Sequence, residues 1–178
     1  MQRILVMGSS GSGKSTFARA LCDVTGLPFV SLDALFWKPG WQQSELSEFD
    51  AKVIAATNQP RWVMDGNYTN RTGELRRERA DAIFWFDLPR RTCMIGILGR
   101  IATSYGQVRP EMAEGCPEKI DFEFFHYVWT YRARQRPKLL KYFEGLRPDQ
   151  TFVTFTQRAQ ADRYLADLAP AASPVSVC

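Results

Sequence analysis

Gly8-Ser9-Ser10-Gly11-Ser12-Gly13-Lys14-Ser15 matches the pattern G-x-x-x-x-G-K-[ST]. Arg3-Ile4-Leu5-Val6-Met7 before it is a short apolar run suited to a buried strand. Thr16-Phe17-Ala18-Arg19-Ala20-Leu21-Cys22 after it places Phe17, Ala20 and Leu21 on one helical face. A strand turning sharply into a helix leaves backbone N–H groups converging on one concavity, which suits phosphate oxygens. Glycines at 8, 11 and 13 allow close approach and dihedrals that a Cβ would block. Lys14 is placed to reach β- and γ-phosphates, and the Ser15 hydroxyl to take a site on Mg²⁺. Residues 8 to 16, from Gly8 to Thr16, therefore read as a binding loop for a nucleoside triphosphate.

Beyond this loop the chain alternates strands with helices. Gly26 is expected to stop the first helix. A second strand over 27–32 ends at Asp33, and an aromatic loop, Ala34-Leu35-Phe36-Trp37-Lys38-Pro39-Gly40-Trp41, follows it. Ser47-x-x-Asp50 suggests a capping box for a helix ending near Asn58. Trp62-Val63-Met64 forms a third strand that finishes in Asp65-Gly66, and residues 71–79 read as helical. Ala82-Ile83-Phe84-Trp85-Phe86 is a fourth strand, with a helix from about Arg90 to Thr103 after it. Residues 105–120 look like a loop or lid. Phe122 to Tyr142 is helical with an expected interruption near Pro137, and Thr151-Phe152-Val153-Thr154-Phe155 is the fifth strand. Thr156 is a candidate cap for a last helix through Leu168, and the tail from Pro170 to Cys178 has few anchors.

This alternation implies an α/β fold in three layers, a five-stranded parallel sheet with helices on both faces. The expected organisation is one domain over residues 1–170. A helical insertion would occupy 34–60 and a lid region about 104–136, leaving a flexible tail at 171–178. In such sheets chemistry collects at the carboxyl ends of strands.

Composition sets the background. The chain has 178 residues, 45% of them hydrophobic and 24% charged, which suits a globular domain. No apolar run approaches a membrane span, and the chain opens directly on a strand, so neither a membrane anchor nor a signal peptide is expected. Its 4 cysteines lack C-x-x-C spacing and there is 1 histidine, which argues against a zinc site and a disulfide framework. A reducing cytoplasmic location is expected. The formal net charge is +4, with 17 arginines among 23 basic residues dispersed along the chain. That balance suits phosphate handling better than a nucleic-acid surface.

The strand ends supply the remaining candidates. Asp65 is placed to hold Mg²⁺ together with Ser15. Asp33 is a candidate to orient or deprotonate an acceptor hydroxyl, or else a turn residue. Trp37, Lys38 and Trp41 suit a ring-bearing or phosphorylated acceptor, or pack the insertion against the sheet. Arg132, Arg134 and Arg136 are candidates to fold over a transferring phosphoryl group. His126, among aromatics, reads as a packing residue, and Cys116 is assigned no chemistry.

Taken together, the pattern resembles the adenylate-kinase-like branch of phosphate-binding-loop (P-loop) kinases. Trp62-Val63-Met64-Asp65-Gly66 and Phe86-Asp87-Leu88-Pro89 are similar to two of its strand ends. Leu32-Asp33, Pro39-Gly40-Trp41, Asp65-Gly66-Asn67-Tyr68 and the segment Arg109-Pro110-Glu111-Met112-Ala113-Glu114-Gly115-Cys116-Pro117-Glu118 resemble a bacterial family labelled DNA topology modulation proteins. The resemblance implies ATP with Mg²⁺, an acceptor-binding helical insertion and a mobile lid. It departs at the acceptor: residues 44–58 contain no arginine, Asp-Gly-Phe-Pro-Arg becomes Asp65-Gly66-Asn67-Tyr68-Thr69, and Arg-x-x-Gly-Arg becomes Gly96-Ile97-Leu98-Gly99-Arg100. Those departures fall where adenylate kinases hold AMP, and the resemblance leaves the acceptor open. The reading is a phosphotransferase acting on a small-molecule acceptor, a nucleotide or nucleoside among the candidates. Lys14, Asp33, Arg132 and Arg136 are its catalytic candidates, Arg100 lies near the nucleotide, and Asn67, Tyr68 and Arg71 face the acceptor. An ATP-binding regulator or ATPase acting on DNA or a protein partner is the alternative.

Overall fold

The computed structural model describes residues 1–168, so the expectation for the tail lies outside the described residues. Five strands form one parallel sheet: β1 (Arg3–Gly8), β2 (Phe29–Ser31), β5 (Trp62–Asp65), β6 (Ala82–Phe86) and β7 (Thr151–Phe155). Their order is β2-β5-β1-β6-β7. β5 and β6 are buried at every position and β1 from Ile4 onward, as strands covered on both faces must be. β7, at an edge, is largely exposed.

Alternation along β1 divides the core. Ile4 and Val6 join Phe17, Leu21 and Phe84 on one face, while Leu5 and Met7 join Phe49, Trp62 and Trp85 on the other. α1 (Lys14–Thr25), α5 (Arg90–Ser104) and α7 (Arg158–Leu168) contribute to the first cluster, α3 (Leu46–Thr57) to the second. The long α6 (Phe122–Phe143) serves both, with Val128 in one and Tyr131, Leu139, Tyr142 and Phe143 in the other. The expected α/β architecture is present.

Several local expectations change. α6 runs through Pro137 without a break: proline removes one backbone donor, and the packing of Leu139, Tyr142 and Phe143 holds the following turn. The 34–41 stretch is more regular than a loop. α2 (Leu32–Phe36) is followed by a hairpin of β3 (Trp37–Lys38) and β4 (Gln42–Gln43). Ser47 caps nothing, because α3 begins one residue earlier, after Glu45. Before α7 it is the Gln160 side chain that accepts from the Thr156 and Gln157 N–H groups. His126 is exposed rather than packed. α4 (Gly73–Arg79) completes the elements.

Register aligns the strand ends. Asp65 lies opposite Val6 on one side and Ser31 on the other, and Gly8 lies opposite Phe86. The carboxyl ends of β1, β2, β5 and β6 thus open along one edge of the sheet.

Candidate active site

The loop between β1 and α1 has the shape the sequence requires. Gly8 has φ 147°, and a Cβ there would come within 2.7 Å of Phe86 Cβ. The loop enters α1 through Gly13 at φ 97°, leaving the first N–H groups of a 12-residue helix without a side-chain cap. Ser9 and Ser12 turn inward and are buried, whereas Ser10, Gly11, Gly13, Lys14, Ser15 and Thr16 line a cleft of about 1250 Å³. Ligand pockets commonly run to about 300–1,000 Å³, so this space suits two molecules side by side.

The cleft follows the sheet edge. At one end it is bounded by Ala20 of α1, Gly96 and Arg100 of α5, and Ala161 and Leu165 of α7. At the other it meets Asp33, Trp37, Trp41, Tyr68 and Tyr127. Lys14 and the loop glycines lie between.

At the centre, Lys14 Nζ is 3.6 Å from Asp65 Oδ1 and 3.4 Å from Ser15 Oγ. Asp65 is 4% exposed and its Oδ1 accepts no hydrogen bond. Burial raises its pKa, the Lys14 charge and the Ser15 hydroxyl oppose that rise, and the nearby Asp33 and Glu111 carboxylates add to it. A buried carboxylate oxygen lacking a hydrogen bond, beside a serine hydroxyl, is the donor set a hard divalent cation takes.

At the far end, Ser31 caps α2 by accepting from the Ala34 N–H, which turns Asp33 into the cleft in the first helical turn. Asp33 Oδ1 accepts from the Tyr68 hydroxyl at 2.9 Å. Burial and the Asp33 charge push the Tyr68 pKa upward, so it remains a donor. Among the described residues, Tyr68 and Trp41 are the non-glycine residues with positive φ, 41° and 60°. Both line the cleft, where backbone strain is commonly stored. Gly66 allows this turn, since a Cβ at its φ of 132° would stand 2.9 Å from Leu32 Cβ.

The segment after β5 joins the parts. Asn67 bonds the Gly8 backbone twice and donates to the Tyr131 hydroxyl of α6. Beneath it lies Arg76, wholly buried, donating to the Asn67 and Tyr68 carbonyls at 2.7 and 2.9 Å. Burial lowers the Arg76 pKa to about 10.

The connection between α5 and α6, residues 105–121, covers the far end. Gly40 N–H donates to the Gly115 carbonyl, Trp41 Nε1 to the Pro117 carbonyl and Cys116 Sγ to the Lys38 carbonyl. Inside it, Glu118 is buried between Arg100 at 2.9 Å and Arg109 at 3.0 Å. Arg109 also bonds Glu111 at 2.7 Å.

Several sequence candidates stand elsewhere. Arg132 and Arg136, expected over the phosphates, face Asp87 at the end of β6, at 3.7 and 2.9 Å. They are one helical turn apart on the face of α6 nearest that carboxylate, and they line a small space behind Ser9 instead of the cleft. Arg134 is exposed. Lys38 is bound by Glu48 at 2.6 Å and Arg71 by Asp50, and neither lines the cleft. Conversely, Arg109, Glu111, Tyr127 and Arg158 line it without having been singled out for a role. Arg158 donates to the Gly11 and Ser12 carbonyls from behind the loop. It follows β7 directly, so the strand-end rule applied to the fifth strand would have found it.

No protein-family model matches the chain. An adenylate kinase of Clavibacter michiganensis subsp. michiganensis is 32% identical over 110 residues, 60% of this chain and 53% of that protein. The match thus spans about half the length of that curated relative. Shikimate kinase from Bacteroides thetaiotaomicron has TM-score 0.58 at 17% identity, covering 94% of this chain and 96% of that one. The shikimate kinase of Acinetobacter baumannii, solved with shikimate, has TM-score 0.54 at 13% identity, covering 94% and 90%. The fold is that of the P-loop kinases.

Proposed function

We propose that this chain transfers the γ-phosphoryl group of ATP to a hydroxyl of a small molecule. The observation that carries this reading is one cleft lined both by Lys14, which stands 3.6 Å from the buried Asp65 carboxylate, and by the hydrogen-bonded pair Asp33 and Tyr68. A regulator that only bound nucleotide would have no use for that pair.

ATP would lie with its base towards α7 and Arg100 and its phosphates on the loop N–H groups, Lys14 and the start of α1. Arg100 lines this end while its guanidinium holds Glu118. Ser15 and Asp65 would hold Mg²⁺, whose chemistry is to neutralise charge on the phosphate oxygens. The acceptor hydroxyl oxygen bonds the γ-phosphorus while the bond from phosphorus to the β–γ bridging oxygen breaks and ADP leaves. The hydroxyl proton passes to Asp33, which Tyr68 holds in orientation. Lys14 stabilises charge on the transferred group, and the 105–121 connection keeps water from competing for it.

The test is ATP consumption by the purified protein with Mg²⁺ against nucleosides, nucleoside monophosphates and hydroxylated metabolites, with products read by phosphorus NMR. Wild type is expected to phosphorylate an acceptor, and Lys14→Ala and Asp33→Asn to lose that product. ATP binding without any phosphorylated acceptor would overturn the reading in favour of a nucleotide-dependent regulator.

A further inference from the structure

The guanidiniums that reach the cleft from α5 and from the 105–121 connection are already paired with carboxylates. Arg109, which lines the cleft, is bonded to Glu111 and to Glu118, and Glu118 is shared with Arg100. Lys38 and Arg71 are held by Glu48 and Asp50. Lys119 lies over the Trp41 ring at 5.6 Å and 3.7 Å from Asp121, and Lys138, exposed on α6, lines the cleft as a single ammonium without the fork of a guanidinium. By contrast, the carboxylates of Asp33 and Glu111 both line the cleft, close enough to Asp65 to act on its proton affinity.

We infer that the acceptor is a hydroxylated ring compound with no phosphate or carboxylate at the Asp33 end of the cleft, neutral or cationic in charge. This rests on the kinase reading above. A phosphate monoester needs a guanidinium fork or an equivalent cluster of donors to replace its hydration. Here Arg109 would have to abandon two carboxylates, leaving Glu118 buried and short of partners. The incoming anion would also sit beside Asp33 and Glu111, a like-charge contact that selects against it. A hydroxyl suffers neither penalty. Asp33 accepts its proton, and Thr69 and Asn70 offer polar side chains on the same wall. Trp37 and Tyr127 bring aromatic rings to the lining, beside the Trp41 ring that already has Lys119 over it, and such rings favour a flat or cationic body.

The experiment compares matched pairs on the full chain with ATP and Mg²⁺. Adenosine is set against AMP, glucosamine against glucosamine 6-phosphate, and further nucleosides and cyclic polyols against their monophosphates or acids. For each productive pair the uncharged or cationic member is expected to show a kcat/KM at least tenfold higher. Glu111→Gln, which releases one bond on Arg109 and removes one carboxylate, is expected to narrow that ratio at least threefold. If the monophosphate or acid is the better acceptor, the inference is overturned and the kinase reading stands. If ATP binds and neither member of any pair is phosphorylated, the kinase reading itself falls, and the inference with it.

Discussion

The side-chain amide of Asn67 pairs with the backbone of Gly8 as a strand would, its Oδ1 accepting the Gly8 N–H and its Nδ2 donating to the Gly8 carbonyl, both at 3.0 Å. The residue that begins the phosphate loop is thus fixed by the segment just after β5. Nδ2 also donates to the Tyr131 hydroxyl, so one amide spans the loop, the acceptor wall and α6. Tyr131 is buried, and its pKa is raised by that burial, which keeps the hydroxyl protonated as both donor and acceptor.

Asn67→Ala removes three hydrogen bonds and leaves both Gly8 groups without partners. The expected cost is about 1–3 kcal/mol of stability, measured by urea unfolding. Affinity for ATP, measured by calorimetry, is expected to fall along with it. A variant with wild-type affinity would show that the loop holds its shape unaided.

Asp65 supplies a pH prediction. Its pKa is raised in the fold, chiefly by burial, so the folded protein holds this proton more tightly than the unfolded chain. The stability it contributes is therefore present below the ordinary aspartate value of about 3.9 and is lost as pH rises through the raised one. Above that point the ionised carboxylate is available to a cation. The rise in Tm on adding MgCl₂ with ADP is expected to grow as pH rises through that raised value, and to grow less in Asp65→Asn. The same growth in both proteins would remove Asp65 from the metal site.

Arginine variants distinguish the cleft from the Asp87 side of α6. Arg100→Ala is expected to lower kcat/KM for ATP by about 10–100-fold, since Arg100 lines the nucleotide end and anchors Glu118. Arg132→Ala and Arg136→Ala break half-exposed pairs with Asp87, worth about 0–1 kcal/mol each, and are expected to change kcat/KM by less than about threefold. Steady-state kinetics on the three variants decides. A large loss on Arg132→Ala or Arg136→Ala would return those residues to the catalytic group.

Arg76 is expected to act on the acceptor more than on ATP. Its guanidinium holds the Asn67 and Tyr68 carbonyls, and Tyr68 orients Asp33. Arg76→Met leaves the Asn67 carbonyl unpaired, at about 1–3 kcal/mol, and the Tyr68 carbonyl with the Arg71 N–H alone, and is expected to raise the acceptor KM more than the ATP KM. Arg76→Lys, which restores one donor, is expected to recover part of the difference. Equal rises in both KM values would mark the residue as purely structural.

The local pieces were legible in the chain because their causes are local. The apolar run Ile4 to Met7, the glycines and Lys14 specify strand, turn and helix within a few residues of one another, and alternation of such units implies a parallel sheet. Asp33 and Asp65 were visible because strand ends in that architecture face one edge. What could not be read was which charge meets which. Arg132 and Arg136 bond Asp87 across more than forty residues, Arg158 reaches back to Gly11, and Arg76 lies under Tyr68 with no carboxylate near it in the hydrogen-bond pattern. Much of the arginine excess is used in the same way, Arg61, Arg77 and Arg79 each donating to carbonyls at the ends of other elements. A guanidinium on a long flexible stem has no preferred partner in sequence; its choice depends on where packing brings carboxylates and unfilled carbonyls. The sheet and its phosphate loop are written in neighbouring residues, whereas the cations left free to meet a ligand are chosen by contacts between distant ones.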